Sequence, residues 1–355
     1  MDGFEGKTAG RAALKYPFGE TTPEVGEVME VAERVYWVRM PLPFSLQWIN
    51  LWLIDDGPKG WTIVDTGMPL EDTKAAWRQI FDTYLEGRPV WRIMVTHMHP
   101  DHIGNAGWLS RKFPRAEFWI SRLEYVSCRM LIADTGREAP KAGTDFYHQV
   151  GWTEAQIETY KSRFGGFGRG VSQMPDAYHR LEDNDVFEMA GEAWHVVIGS
   201  GHSPEHACLY CPELKVFIAG DQLLPKISSN VSVFPTEPKA DPLKDWLESC
   251  EKLKAALPED VLVLPAHNEP FIGAHDRLDH LIHGHEIALK RLLQRLGQAP
   301  RRVVDIFPAI FGRKIGEDVL SMATGEALAH LNCLIARGDA DYTIDENGVA
   351  WYRAV

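Results

Sequence analysis

The sequence predicts an α/β fold, and three features of the chain predict it. Short apolar, β-branched runs suited to buried strands recur at 91–95, 194–198, 215–218 and 261–264. Between such runs lie segments with apolar residues at helical spacing, as at 71–84, where Ala75, Ala76, Ile80 and Phe81 share one face. Each of the four runs also ends just before histidine or aspartate, and α/β folds place their chemistry where a strand gives way to a loop.

Taken in order, residues 1–27 carry charge, glycine and proline with little periodicity and are expected to form an arm that wraps the domain or a partner subunit. The main domain is expected over 28–272. It opens with strands at 35–38, 49–54 and 61–64, and 41–48 reads as an apolar hairpin loop. Helix 71–84 and strand 91–95 follow, then a helix over 103–113 and a strand at 117–120. Residues 121–175 read as a helical insertion, with helices at 123–133 and 154–164 and the run G-G-F-G-R-G at 165–170. That run is no phosphate loop, because it lacks G-X-X-X-X-G-K-[ST] and opens no helix after a strand. An insertion of this length suggests a lid, with Tyr125, Met130, Phe146, Tyr147 and Phe167 as pocket walls; the alternative places them in the core. Asp241 is an N-cap and Pro242 the first residue of a helix reaching 257.

Beyond 272 the composition changes, and 273–355 is expected to be a separate, mostly helical extension. An amphipathic helix spans 279–296 with His280, His283 and His285 on its solvent side. A helix over 325–337 and a terminal hairpin of 342–344 and 349–352, turned at Asn347 and Gly348, complete it.

Composition narrows the function. A chain of 355 residues accommodates one large domain plus an appendage. The net charge of −13 argues against a polyanionic substrate, since phosphate backbones are held chiefly by Lys and Arg. The N-terminus lacks a basic segment followed by an apolar run, so no secretory signal is expected, and no stretch has the apolar length of a membrane helix. Five scattered cysteines without framework spacing suit a reducing cytoplasm. Cys208 and Cys211 form a C-X-X-C, but on a strand they face opposite ways and read as core.

The chemistry concentrates in V-T-H-M-H-P-D-H-I-G at 95–104. In extended backbone, residues two apart face the same way, so His97 and His99 can chelate one cation. A turn at Pro100 re-aims Asp101 and His102 toward a second. Further ligand types, His202, Asp221 and His267, each follow another strand-like run, so all can project from one sheet edge.

With H-M-H-P-D-H, His202, Asp221, His267 and the preceding Val64-Asp65-Thr66-Gly67, the chain resembles the metallo-β-lactamase fold superfamily of hydrolases over about residues 30–270. The resemblance implies a four-layer αββα sandwich of two mixed sheets. It implies that His97, His99 and His202 hold one divalent cation, that Asp101, His102 and His267 hold another, and that Asp221 bridges them. Zinc is the expected metal, with iron or manganese as alternatives. Asp65 would buttress the ligands. His206 could do the same or relay protons, or it could be a core histidine facing the other way, which is the favoured reading. The hairpin loop of related folds overhangs the metals, so Phe44, Leu46 and Trp48 either grip an apolar part of the substrate or seal the core. Lys226 either anchors a substrate carboxylate or carbonyl, or is a solvated loop residue.

The implied reaction is hydrolysis by a metal-bridging hydroxide, with Asp101 handling a proton. An aspartate at 221, where many β-lactamases of the superfamily carry cysteine, looks like the glyoxalase II and lactonase side. The stretch after His267 is not basic, which disfavours glutathione thioesters. A small, partly apolar ester, thioester or lactone is therefore the expected substrate. The alternatives are a ribonuclease or phosphodiesterase, a mononuclear-iron sulfur dioxygenase, and a non-catalytic binding protein. The extension looks winged-helix-like, yet 301–355 hold six Lys/Arg against eight Asp/Glu, so packing or a homodimer is expected rather than nucleic acid.

Overall fold

The computed structural model describes residues 14–312 and 314–355. Its first sheet contains β1 (Val28–Ala32), β2 (Val35–Pro41), β3 (Trp48–Asp55), β4 (Trp61–Val64), β5 (Val90–Met94), β6 (Glu117–Ser121) and β7 (His179–Leu181), in that spatial order. The strands run antiparallel through β4 and parallel from β4 to β7. Between them come α1 (Glu71–Tyr84), α2 (Pro100–Ile103), α3 (Ala106–Lys112), α4 (Arg122–Ala133), α5 (Lys141–Gln149) and α6 (Glu154–Arg163).

The second sheet contains β8 (Val186–Met189), β9 (Glu192–Gly199), β10 (His206–Cys211), β11 (Val216–Gly220), β12 (Leu262–Pro265) and β13 (Phe271–Ile272), ordered β13-β12-β11-β10-β9-β8. Only its β11–β12 pair is parallel. The helix α7 (Pro242–Ala256) precedes β12. Past β13 come α8 (Ala274–Leu296), α9 (Phe307–Ile310), α10 (Leu320–Arg337) and the hairpin β14 (Ala340–Ile344) with β15 (Ala350–Ala354).

Strand alternation assembles the layers. On β2, Val35 and Trp37 face the second sheet, where Trp194, Val196, Leu209 and Ile218 meet them. Their neighbours Val38 and Met40 face outward onto Trp77, Ile80 and Phe81 of α1. On β10, Cys211 lies between the sheets while Cys208 packs outward with Trp246 of α7 and Leu278 of α8, so the two cysteines do face opposite ways. The result is helix, sheet, sheet, helix, the α/β sandwich expected from the sequence. The extension adds to the outer layer behind the second sheet, with Ala327, Leu328 and Leu331 of α10 in the same core as α7 and α8.

Several sequence expectations change. The helix expected over 103–113 is two helices, α2 and α3, because Gly104 closes α2 on the Pro100 carbonyl and Asn105 turns to donate to Gly67 O from both its backbone N–H and its side chain. The helix expected from 279 starts at Ala274, after Gly273 in a left-handed conformation. His285 is not solvent-facing: it is 2% exposed and packs on His330 of α10. Phe146 and Tyr147, offered as pocket walls, are buried in the core beside Trp152. Of the arm, 1–13 lie outside the described residues; Lys15 pairs with Ile272 at the edge of the second sheet.

Two backbone hydrogen bonds stitch the sheets together at the end where β5, β9, β11 and β12 stop. Ala207 N–H donates to Thr96 O at 2.8 Å, and Asn50 N–H donates to Ala266 O at 2.7 Å.

Candidate metal centre

Each predicted ligand lies just past a strand end. His97, His99, Asp101 and His102 follow β5, with Pro100 starting α2; His202 follows β9; Asp221 follows β11; His267 follows β12. The structure brings them together as two groups, His97–His99–His202–Asp221 and Asp101–His102–His267, with the facing atoms of each group within 4.8 Å of one another. Asp221 faces both. Its Oδ2 lies 3.4 Å from His202 Nε2 and 4.0 Å from His97 Nε2, while its Oδ1 lies 3.6 Å from His102 Nε2 and 3.5 Å from His267 Nε2. Asp101 Oδ2 completes the second group, 3.4 Å from His267 Nε2.

The rear nitrogen of four imidazoles is braced. His102 Nδ1–H donates to Asp65 Oδ2 at 2.8 Å, His202 Nδ1–H to Asn230 O at 2.8 Å, and His267 Nδ1–H to Trp48 O at 3.0 Å. His97 Nδ1 lies 3.1 Å from Thr96 Oγ1, which in turn donates to Asp65. Braced in this way, each ring keeps a hydrogen on its rear nitrogen and turns the other nitrogen to the cluster, the orientation from which it would ligate a cation.

Three buried atoms there, His102 Nε2, His202 Nε2 and Asp221 Oδ1, have no hydrogen-bond partner within the chain. Orphaned buried polar atoms are costly, and three converging on one spot fit a cation in their midst. Electrostatics agree. Burial, with neighbouring imidazoles adding, holds His97 far below the ordinary imidazole value and His99 at about 3, so both stay neutral. Burial also acts to lower His102, but Asp65, Asp101 and Asp221 more than offset it and raise this ring well above its usual value. The carboxylates thus create a field that demands positive charge. Imidazoles and carboxylates are the donor set that zinc and related divalent metals accept.

The remaining predicted residues sort differently. Asp65 is buried and accepts from Thr96 N and Thr96 Oγ1 besides His102, in a left-handed conformation with φ of 62°. His206 does not face the other way: it stacks on His97 at 4.7 Å, and its Nε2 accepts from Asp221 N–H at 3.1 Å. Trp48 meets the site through its carbonyl, while its indole lies under the Arg39 guanidinium. Phe44 is 56% exposed on the loop beside it. Lys226 pairs with Glu269 at 2.6 Å, so its charge is committed to a neighbour of the His267 loop.

Besides Thr96 and Asn230, two further residues escaped the sequence reading. Glu124 of α4 is fully buried; its Oε2 accepts from Met98 N–H at 2.9 Å and its Oε1 from Glu205 N–H at 2.8 Å, tying the β5 loop to the β9 loop. An acid four residues before the buried Cys128, on the inner face of a helix, was its one trace. Asn50 pins the His267 loop, donating from Nδ2 to Pro265 O and Asn268 O.

Residues 49–267 match the metallo-beta-lactamase superfamily, and residues 289–355 match the metallo-beta-lactamase-like C-terminal domain. The chain belongs to the metallo-beta-lactamase superfamily. A crystal structure of a beta-lactamase domain protein from Burkholderia ambifaria superposes with a TM-score of 0.88 at 38% identity, over 96% of this chain and 98% of that one. A metallo-beta-lactamase family protein from Thermus thermophilus gives 0.76 at 25% identity, over 92% and 100%. An atrochrysone carboxyl ACP thioesterase from Cryptosporiopsis sp. is 23% identical over 239 residues, 66% of this chain and 55% of that protein. A linear primary-alkylsulfatase from Pseudomonas sp. is 24% identical over 232 residues, 61% of this chain and 41% of that protein. The chain therefore spans about half the length of these two curated relatives.

Proposed function

We propose that the chain is a hydrolase that uses two divalent cations, zinc foremost, to cleave a small, partly apolar ester, thioester or lactone. The observation that carries this reading is the Asp221 carboxylate set between two ligand groups with one oxygen toward each. His97, His99, His202 and Asp221 would hold one cation, and Asp101, His102, His267 and Asp221 the other. Bound there, such a pair supplies activated water near neutral pH and Lewis-acid polarisation of the scissile carbonyl.

The chain's own residues do the rest. Burial alone would raise the Asp101 carboxyl, but His102 and His267 hold it at about 2, so it is ionised. Its side chain is 20% exposed, against 1% for Asp65; with Oδ2 given to the second ligand group, its other oxygen, Oδ1, would take a proton and pass it to the leaving group. Asp65, sealed against Thr96 and His102, keeps the rings in register and exchanges no proton with substrate. Phe44 offers exposed apolar surface on the loop whose end, Trp48, touches His267.

Among acyl substrates a thioester is favoured, because two curated relatives are ACP thioesterases. Alkyl sulfate esters are the second reading, supported by the alkylsulfatase relative. The five cysteines are all buried and free, which supports a reducing compartment such as the cytoplasm. No described helix is long and apolar enough to cross a membrane.

The test is turnover by metal-analysed protein on panels of thioesters, esters, lactones, alkyl sulfates and RNA. The expected result is thioester or ester hydrolysis that a chelator abolishes and zinc restores. Two bound metals with no acyl turnover would sink the reading. One iron per chain with oxygen consumption would replace it by sulfur dioxygenation, and RNA cleavage by a nuclease.

A further inference from the structure

The loop between Asp221 and α7 serves two ligands at once. Ser229 Oγ donates to the Asp221 carbonyl, and one residue further on Asn230 O accepts from His202 Nδ1–H at 2.8 Å. Residues 222–241 contain no helix or strand, so contacts outside the loop must fix residue 230.

Those contacts come from α10. The Asn230 side chain is held at both ends: Nδ2 donates to Glu326 Oε2 at 2.9 Å, and Oδ1 accepts from Ser232 Oγ at 2.6 Å. Ser232 Oγ also reaches Met322 O at 3.3 Å, and Val233 N–H donates to Gly325 O at 3.1 Å. A Cβ on Gly325 would stand 2.7 Å from Ser232, so the close approach of loop and helix requires glycine. Met322, Gly325 and Glu326 occupy one face of α10 at helical spacing. Glu326 is 7% exposed, and burying a carboxyl is costly unless hydrogen bonds compensate it, as the one from Asn230 Nδ2 does in part.

We propose that Glu326 of the C-terminal extension is a positioning residue for the metal centre: through Asn230 it holds the carbonyl that orients His202. This rests on reading the His/Asp cluster as metal-binding. His97, His102 and His267 take their braces from Thr96, Asp65 and Trp48, all before residue 272. The His202 brace alone among these four is referred to the extension.

The test measures zinc affinity of the full-length chain by chelator competition after metal removal. His202→Ala identifies which binding step contains His202, and cobalt absorption reads the ligand geometry. Glu326→Leu is expected to weaken that step by about 10-fold or more, as loss of a ligand's outer partner does, with the other step changed less than about twofold. It should add little further loss in the His202→Ala background. Glu326→Gln, whose amide oxygen accepts the same hydrogen bond, should bind as wild type. Asn230→Ala should reproduce the selective loss, and it decides the matter with Glu326→Gln if Glu326→Leu does not fold. Wild-type affinity in both Glu326→Leu and Asn230→Ala overturns the proposal, as does equal loss at both steps with a lowered melting midpoint of the metal-free protein. Wild-type protein that binds no zinc overturns the metal reading itself.

Discussion

At the scale of single residues, the centre depends on braces as much as on ligands. Asp65 is the sharpest case, since one carboxylate serves His102 directly and His97 through Thr96. Asparagine tolerates the left-handed backbone of position 65 almost as well as aspartate, so Asp65→Asn tests the charge without straining the chain. It is expected to lower zinc affinity about 10–100-fold, read by chelator competition, with little change in the far-ultraviolet circular dichroism. Glu124→Leu strands the buried Met98 N–H and the part-buried Glu205 N–H, and should cost about 2–4 kcal/mol in denaturant unfolding. The candidate ligands were legible in the sequence because four of them crowd into six residues and the others sit just past strand-like runs. Of the braces, Asp65 alone was legible, through the resemblance; the others were not. Glu124 meets Glu205 across 81 positions, Asn50 meets Pro265 across 215, and Asn230 meets Glu326 across 96. Contacts of that reach leave no local pattern.

At the scale of elements, periodicity located most strands and helices, missed several, α5, β7 and β8 among them, and misjudged several ends. Helix α1 has the bounds expected, because its apolar face is uninterrupted. The break between α2 and α3 was hidden because its cause, the Gly67 carbonyl and its neighbours, lies on a different loop. His285 was misplaced because the partner that buries it, α10, approaches a side of α8 that reads as polar. The β9 loop makes its own demand. Gly201 has φ of 104°, and a Cβ there would stand 2.6 Å from Trp246 Cβ and 2.7 Å from the Pro242 carbonyl. Gly201→Ala should therefore shift the neighbouring His202, lowering both zinc affinity and the thermal midpoint, because neither a helix N-terminus nor a core tryptophan can give way.

At the scale of the whole molecule, the extension contributes a pH dependence. Burial pushes the Glu326 carboxyl up to about 8, far above its ordinary value. A group that holds its proton more tightly when folded stabilises the fold fully at pH below its unfolded value. That contribution is lost as pH rises from the ordinary carboxyl value of about 4.3 toward the folded one, at up to about 1.4 kcal/mol per pH unit. Chemical denaturation of the metal-free protein from pH 5 to pH 8 should show this decline, and Glu326→Gln should flatten it. Identical slopes for the two proteins would refute the assignment.

The hydrogen bonds that close the sandwich at its ligand-bearing end have a kinetic corollary. Thr96 N–H, Met98 N–H, Glu205 N–H and Ala207 N–H each end on an acceptor from a distant part of the chain; the acceptors, Asp65, Glu124 and Thr96, stand at the end of the first sheet and on α4, while Glu205 and Ala207 come from the second sheet's side. No small local fluctuation can release them singly. In deuterated buffer these amides should be among the slowest to exchange, those of Glu205 and Ala207 opening only when the two halves of the molecule come apart. Metal capture and release would then be governed by side-chain motion at the solvent-facing rim, around Asp101, while the floor beneath stays shut.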